Sequence, residues 1–515
     1  MDRRTFLKAG AATGAMLALP GCTSSHAALP HVRPSGPGLR RSAGPGPAEA
    51  TGSAWAALGR SLDGSLLLPG DPGFGEARRV YAPRFDALLP VAVVQPEGPH
   101  DVAEAIRFAR RHRLRLRPRS GGHSYVGASA AHGGIALDLS RMATTSYDAA
   151  SGTAHVGAGA RALALHDALD PVGRTVPTGT CPTVGAGLAL GGGIGAETRS
   201  YGLTCDSLDE LEIVTADGRV RRVGPRREPA LFWACRGGGG GNVGVVTALR
   251  FRTWPAEDLG FFQLDFDAAD AAAALQGWQR RLAAMPRDAW STLHLEAERD
   301  GTVSVRVFGV SVSGDGSTEA AAVVAAVGRQ PVRTLLFARS HYDGVRLLAG
   351  CAAAPEDACG VGPHGAADRQ SFVAGSDVLA GALRPSEAGS VLAVVRAWAA
   401  AGHRGSVLLD ALGGRAGEPA VSATAFPWRD ALATVQWFAP LGDHPRGSAV
   451  AAARRWVAAG HRAVAAASAG AYVNYLEPGR PMADYYGANY ARLRAVRGRY
   501  DPSGFFDSPY SVPRV

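Results

Sequence analysis

The spacing of apolar residues changes several times along the chain. Val91-Ala92-Val93-Val94-Gln95, bounded by Pro90 and Pro96, reads as a short strand. Asp101 to His112 then shows helical spacing, with Val102, Ala105, Ile106 and Ala109 on one face. Asp101, following Pro99-His100, has the side chain expected of a helix N-cap. Leu114-Arg115-Leu116-Arg117-Pro118-Arg119 alternates apolar and basic positions, a strand that delivers the turn Ser120-Gly121-Gly122-His123-Ser124-Tyr125. Gly152 to Val156, Leu211 to Thr215 and Val243 to Phe251 give further strands. From about Phe261 to Ser468, strand-like pieces (Thr302 to Val312, Ser406 to Leu409) alternate with Ala-rich helices (Ala268 to Ala283, Ala449 to His461), the pattern of a sheet backed by helices. Tyr485 to Arg499 reads as a last helix, stopped by Asp501-Pro502.

A chain of 515 residues exceeds one core and predicts two lobes. With 46% hydrophobic and 19% charged residues the composition is globular. The net charge of +9 comes almost entirely from arginines spread along the chain, without a basic run interleaved with aromatics, so no nucleic-acid partner is expected.

Arg3-Arg4-Thr5-Phe6-Leu7-Lys8 is a twin-arginine pattern, and the apolar stretch behind it, Ala9 to Leu19, is too short to span a bilayer. Residues 1–22 therefore read as an export signal for the twin-arginine machinery, with an extracellular or cell-envelope destination. That route moves folded proteins and suits a protein that loads a cofactor before crossing. Leu19-Pro20-Gly21-Cys22 resembles a lipoprotein cleavage box, which leaves a lipid anchor on Cys22 and ordinary cleavage both open. Residues 23–52, rich in Gly, Pro and Ser, read as a flexible linker, with order starting near Trp55. Among six cysteines, Cys351 and Cys359 are close enough to close a small disulfide loop. Cys205 and Cys235 either pair or stay buried thiols, and Cys181 is left without a natural partner.

Two glycine-rich segments invite a nucleotide-fold reading, and both fail it. Gly185-Ala186-Gly187-Leu188-Ala189-Leu190 has Leu190 where the third glycine of a dinucleotide fingerprint belongs, and Arg236 to Asn242 lacks the Lys-Ser/Thr ending of a P-loop. Glycine used for close backbone approach to a ligand remains.

Arg119-Ser120-Gly121-Gly122-His123-Ser124 and Gly179-Thr180-Cys181-Pro182-Thr183-Val184-Gly185 resemble the two flavin-attachment motifs of the berberine-bridge-enzyme-like FAD-linked oxidases, within the vanillyl-alcohol-oxidase superfamily. The resemblance continues through Gly191 to Gly195, Tyr201 to Asp206, Arg236 to Val246, Tyr486-Gly487-Ala488-Asn489-Tyr490 and Tyr500-Asp501-Pro502, nearly the whole chain after the linker. It implies covalent FAD, with the His123 imidazole on the flavin 8α carbon and the Cys181 sulfur on C6. A raised flavin potential and a fixed ring would follow.

The backbone N–H groups of Ser120, Gly121, Gly122, His123 and Ser124 form an anion-binding turn expected to hold the FAD pyrophosphate, with Arg117 or Arg119 adding positive charge. Thr180, Gly187, Gly192, Gly193, Gly240, Gly241, Asn242, Val246, Asn489 and Tyr490 complete the expected cofactor contacts. Similar enzymes carry a small residue at the position of Val184 when oxygen must reach the flavin, so Val184 favours an oxidase over a dehydrogenase. Ala471-Tyr472-Val473-Asn474-Tyr475 resembles the family's segment bearing the active-site tyrosine. Tyr475 is the expected base, and Tyr472 the group that helps stabilise its phenolate. A phenol of pKa about 10 needs such help at neutral pH, and both rings can act only if the backbone bends between them. No metal site is expected.

Three departures from the family fall on the substrate side: Asp410-Ala411-Leu412-Gly413-Gly414 lacks an aromatic before the Gly pair, Trp428 stands where His is usual, and Gly375 where Lys is common. Trp428 and Ala411-Leu412 hint at a partly apolar pocket. The expected fold is α+β: a PCMH-type FAD-binding domain over 53–256, a substrate domain of antiparallel sheet with covering helices over 257–468, and a C-terminal segment, 469–515, returning to the FAD domain. The expected reaction is oxidation of a hydroxyl on a sugar or secondary-metabolite-like small molecule, with molecular oxygen reduced to hydrogen peroxide. The rivals are an FAD dehydrogenase with another acceptor and a non-catalytic binding protein that keeps the flavin fold.

Overall fold

The computed structural model describes residues 50–353, 359 and 368–515; the export signal, Cys22 and most of the linker lie outside them. Helix α1 (Gly52–Ser61) opens the described chain and carries Trp55. A four-stranded sheet holds β1 (Ser65–Leu67), β2 (Ala92–Gln95), β3 (Leu116–Arg119) and β4 (Ile135–Asp138) in the order β1-β2-β4-β3, with β2, β4 and β3 parallel. Helix α2 (Pro99–Arg111) crosses between β2 and β3 and buries Val102, Ala105, Ile106 and Ala109, as its spacing predicts.

The N-cap is not Asp101. Gly98 precedes the helix and Pro99 fills its first turn, where a missing N–H costs nothing. The Asp101 carboxylate instead accepts from the backbone N–H groups of Asp63, Gly64 and Glu97, fastening two incoming segments to the helix start.

An antiparallel sheet follows, with β5 (Thr145–Asp148), β6 (Thr153–Gly157), β7 (Leu208–Val214), β8 (Val220–Val223) and β9 (Val245–Arg252) in the order β5-β6-β9-β7-β8. The largest sheet is antiparallel throughout. It comprises β10 (Leu259–Phe266), β11 (Ala289–Ala297), β12 (Val303–Val312), β13 (Arg333–Arg339), β14 (Ser371–Leu379), β15 (Gly405–Ala411), β16 (Ala433–Leu441) and β17 (Ser468–Gly470), in the order β13-β10-β12-β11-β15-β16-β14-β17. Helices α3 (Ala271–Leu282), α4 (Ser317–Val327), α5 (Pro385–Ala400) and α6 (Gly447–Val464) belong to this half. Their apolar side chains join the inward-facing strand residues in one core, around Trp278 and Trp437.

The first half has a separate core, and Tyr472, Tyr485, Tyr486, Leu493 and Phe506 from the end of the chain complete it. The predicted helix at Tyr485 begins later, as α7 (Tyr490–Tyr500), because residues 482–489 form two 3-10 turns and Gly487 takes φ +45° between them. The architecture is α+β. Cys351 and Cys359 are bonded, and Cys205 and Cys235 are buried free thiols. Among the described residues no helix is long and apolar enough to cross a membrane.

Candidate functional site

A cavity of about 380 Å³ lies between the glycine-rich loops of the first half and one face of the large sheet. Gly121 sits against the second loop so closely that a Cβ would lie 2.7 Å from the Gly185 nitrogen. Ser120 fastens the two loops: its hydroxyl donates to the Ala158 carbonyl and accepts from the Ala186 N–H. Arg161 donates to the carbonyls of Ser120 and Thr183, one from each loop.

This contact brings His123 and Cys181 to a single hydroxyl. His123 Nε2 is 2.9 Å from Thr183 Oγ1, and Cys181 Sγ is 3.7 Å from the same oxygen. The Tyr81 ring stacks on the imidazole with centroids 4.0 Å apart. Burial, and then the Arg161 charge, push His123 down to about 3, so the imidazole is neutral and keeps a lone pair over the ordinary pH range.

Arg117, Arg119, Ser120, Gly121, Gly122, Ser124, Thr180, Val184, Gly187, Gly240, Gly241, Asn242 and Val246 all line the cavity with His123 and Cys181. Arg119 forms a buried ion pair with Asp138 at 3.0 Å, while its Nη1 is buried without a hydrogen-bond partner among the described residues. Ser129, also on the wall, has a hydroxyl in the same condition. Unpaired buried donors beside a run of loop N–H groups suit the anionic part of FAD, so the residues present fit the cofactor.

Four expected contacts lie off the wall. Gly192 and Gly193 take φ +123° and +87°, and a Cβ on Gly193 would meet Thr204 Oγ1 at 2.1 Å, so they make a tight packed turn. The Gly193 N–H donates to the Tyr472 hydroxyl at 2.9 Å. Asn489 donates to the Val421 and Thr424 carbonyls, and Tyr490 begins α7 beside Tyr486. Of this C-terminal motif it is Tyr486 that reaches the cavity.

The backbone does bend at the tyrosines. Val473–Tyr475 is a 3-10 turn that sends both Tyr472 and Tyr475 to the cavity, their rings edge to face with centroids 5.0 Å apart. Tyr472 accepts a second hydrogen bond, from Asn474 Nδ2 at 2.7 Å. Burial pushes Tyr475 well above 10, and Tyr125, Asp410 and Tyr472 push it further. Its neighbours, the expected helper Tyr472 among them, therefore disfavour the phenolate.

The opposing wall was missed in the sequence. Cross-strand register aligns Ser376 (β14), Gln436 (β16), Leu408 (β15) and His294 (β11) in one row, with Thr434, Asp410 and Thr292 in the next. Asp410, His294, Trp290 and Gln436 line the cavity. Burial raises the Asp410 carboxyl, more than Thr292 and His294 lower it. Both His294 ring nitrogens and Trp290 Nε1 are buried without hydrogen-bond partners among the described residues. The apolar lining comes from Phe372, Leu408 and Phe438. Trp428, Ala411 and Leu412 do not reach the wall, and the Trp428 indole donates to the Ala471 carbonyl instead. A signal was present in the alternation Trp290-x-Thr292-x-His294 and in an Asp ending the apolar strand Val407-Leu408-Leu409.

Three family models match this sequence: an FAD binding domain over residues 90–224, a berberine and berberine-like segment over 471–513, and a twin-arginine translocation signal over 1–20. The FAD-linked oxidoreductase YgaK of Bacillus subtilis (strain 168) is 30% identical over 464 residues, covering 88% of this chain and 97% of that protein. The chitooligosaccharide oxidase of Gibberella zeae is 29% identical, covering 82% and 87%. A solved chitooligosaccharide oxidase superposes with a TM-score of 0.79 at 25% identity, covering 90% of this chain and all of the other. Wild-type Physcomitrella patens BBE-like 1 gives 0.80 at 25% identity, covering 89% and 99%. With the signal, the two family segments and the cavity they enclose, the chain belongs to the berberine-bridge-enzyme-like FAD-linked oxidoreductases.

Proposed function

We propose that this protein is an exported oxidase with FAD attached at both His123 and Cys181, oxidising a hydroxyl group of a small molecule and releasing hydrogen peroxide. The observation that carries the reading is the convergence of His123 and Cys181 on the Thr183 hydroxyl, in the wall of the cavity that Tyr475 also lines. A neutral His123 is the form able to bond to carbon. Attachment through sulfur requires Cys181 as thiolate. The domain limits expected from the sequence, 53–256, 257–468 and 469–515, remain part of this reading.

Bound FAD supplies a two-electron acceptor for the hydride of the substrate C–H, with O2 as final oxidant. Arg119 and the Ser120–Ser124 turn hold its pyrophosphate, and Val184 leaves room for oxygen. Tyr475 takes the hydroxyl proton. Its phenol is too weakly acidic to wait as phenolate, so it releases its own proton as it takes the substrate's, and Asp410, whose raised carboxyl is a stronger base than an ordinary carboxylate, is the acceptor this reading assigns. Tyr472, held by Gly193 and Asn474, fixes the Tyr475 ring from the side. The unpaired His294 and Trp290 groups favour a substrate with several hydroxyls, as in a sugar or glycosylated metabolite, against the apolar Phe372, Leu408 and Phe438.

The visible spectrum of acid-precipitated protein tests the attachment. Yellow colour should stay with the wild-type pellet and with the His123→Ala and Cys181→Ala variants, and be lost in the double variant. A colourless wild-type pellet would overturn it.

A further inference from the structure

Behind the sheet, away from the cavity, four charged side chains form a closed cluster. His461 on α6 lies between two carboxylates, with Nδ1 2.7 Å from Asp377 Oδ2 and Nε2 2.7 Å from Glu477 Oε2. Arg480 bridges the same carboxylates at 3.2 Å each. Trp437 Nε1 and the Ser468 hydroxyl also donate to Asp377. Asp484, partly exposed, lies 3.4 Å from Arg480 at the edge of the cluster.

The cluster is tied to the tyrosine turn through Ser376. The Ser376 N–H donates to Glu477 Oε1 at 3.1 Å, and the Ser376 hydroxyl accepts the Tyr472 N–H at 3.0 Å. Both ends of the six-residue span from Tyr472 to Glu477 are thus pinned to one residue of β14. The Glu477 N–H is held by the Tyr485 hydroxyl. Gly375 makes the arrangement sterically possible, since a Cβ there would lie 2.3 Å from the Glu477 carboxylate. The family departure at Gly375 is thereby explained: any side chain would displace Glu477.

We propose that His461 is a positioning residue for Tyr475: as an imidazolium donating to both Asp377 and Glu477, it fixes the carboxylate that anchors the far end of the tyrosine turn. A neutral imidazole donates only once. The other nitrogen would then present a lone pair to a carboxylate at 2.7 Å, leaving Arg480 as the sole cation against Asp377, Glu477 and Asp484. Burial alone lowers His461, but the hydrogen bonds and charges of Asp377 and Glu477 outweigh it and push it up to about 9. The sign follows from that rise. The clamp stabilises the fold fully below the ordinary histidine value of 6.5, and the contribution fades as pH climbs to about 9.

This inference rests on Tyr475 being the base in the proposed oxidation, so its test has a readout independent of turnover. Hydrogen exchange of the holoenzyme is followed over residues 471–477 between about pH 6.5 and pH 9.5, as protection corrected for the intrinsic rise of exchange with pH. Wild type should lose protection by about tenfold as His461 deprotonates. His461→Gln should show the low protection at every pH, with flavin content unchanged. Its kcat should fall about tenfold and KM less than twofold, the signature of a misplaced group. Glu477→Gln, whose amide can satisfy a neutral imidazole, should stay protected across the range; it also decides the matter if His461→Gln does not fold. Protection that is flat with pH in wild type and Glu477→Gln alike, or unchanged in His461→Gln, overturns the clamp. A Tyr475→Phe variant with normal turnover would remove the proposed base and leave the exchange result standing.

Discussion

The Tyr125 and Tyr475 rings lie nearly parallel, 9° apart with centroids separated by 5.0 Å, and the Tyr125 hydroxyl receives the Gln436 amide at 2.7 Å. Tyr475 is thus stacked on a ring that is itself tethered to the substrate wall. Tyr475→Phe removes the oxygen proposed to handle the proton and should lower kcat by about 10²- to 10⁴-fold. Tyr125→Phe keeps the stack and loses only the tether, so kcat should fall by less than tenfold. Steady-state peroxide formation by the two variants checks the ranking.

Asp410 has its carboxyl raised by burial in the cavity, and its deprotonated form is the useful one. Turnover should therefore rise with pH through an acid limb lying above the usual carboxylate value of 3.8. Asp410→Asn should abolish that limb and lower kcat by about 10²-fold or more. A pH–rate profile with an unshifted limb in the variant would assign it to another group.

His294 is buried, and among the described residues neither ring nitrogen has a hydrogen-bond partner, the Glu296 carboxylate lying 3.8 Å from Nδ1. Relieving such a group typically gains about 1–3 kcal/mol, so His294→Leu should melt at the same temperature as wild type or higher. If the imidazole binds substrate hydroxyls, the same variant raises KM about tenfold or more. Calorimetry and kinetics on one preparation separate the two effects.

Gly193 combines φ +87° with a Cβ site 2.1 Å from Thr204 Oγ1, and its N–H holds the Tyr472 hydroxyl. Gly193→Ala should cost about 1–3 kcal/mol from the backbone conformation alone, seen as a lower melting temperature. Adding Thr204→Ala should recover little, because the Thr204 Cβ, 2.4 Å from the same site, remains.

Much of this molecule was legible in order along the chain. The alternation ending at Arg119, the loops bearing His123 and Cys181, and the Tyr472-x-Asn474-Tyr475 segment each carry their signal within a few residues. The start of α2 was misjudged because Asp101 serves segments that are distant in sequence, Asp63 and Gly64 among them. The sheet-side wall of the cavity could not be assembled from its strand signals for a related reason. His294, Asp410 and Gln436 become neighbours only through strand register across more than a hundred residues, and no local pattern fixes that register. The clamp on Glu477 is of the same kind, with partners on β14 and α6.

Phe506, Ser508, Tyr510 and Ser511 line the cavity, and Val512 is tied by its N–H to Asn242, inside the glycine-rich loop. One wall of the cavity is therefore built from residues that lie 270 positions beyond the glycine-rich loop they close. The cavity is complete only once residues 506–511 have joined the glycine-rich loops, while the twin-arginine signal lies at residues 1–20. A pathway that threads an unfolded chain as it emerges would separate those two ends across the membrane before the chamber could close, whereas one that accepts finished proteins lets assembly and departure occur in the order this architecture requires.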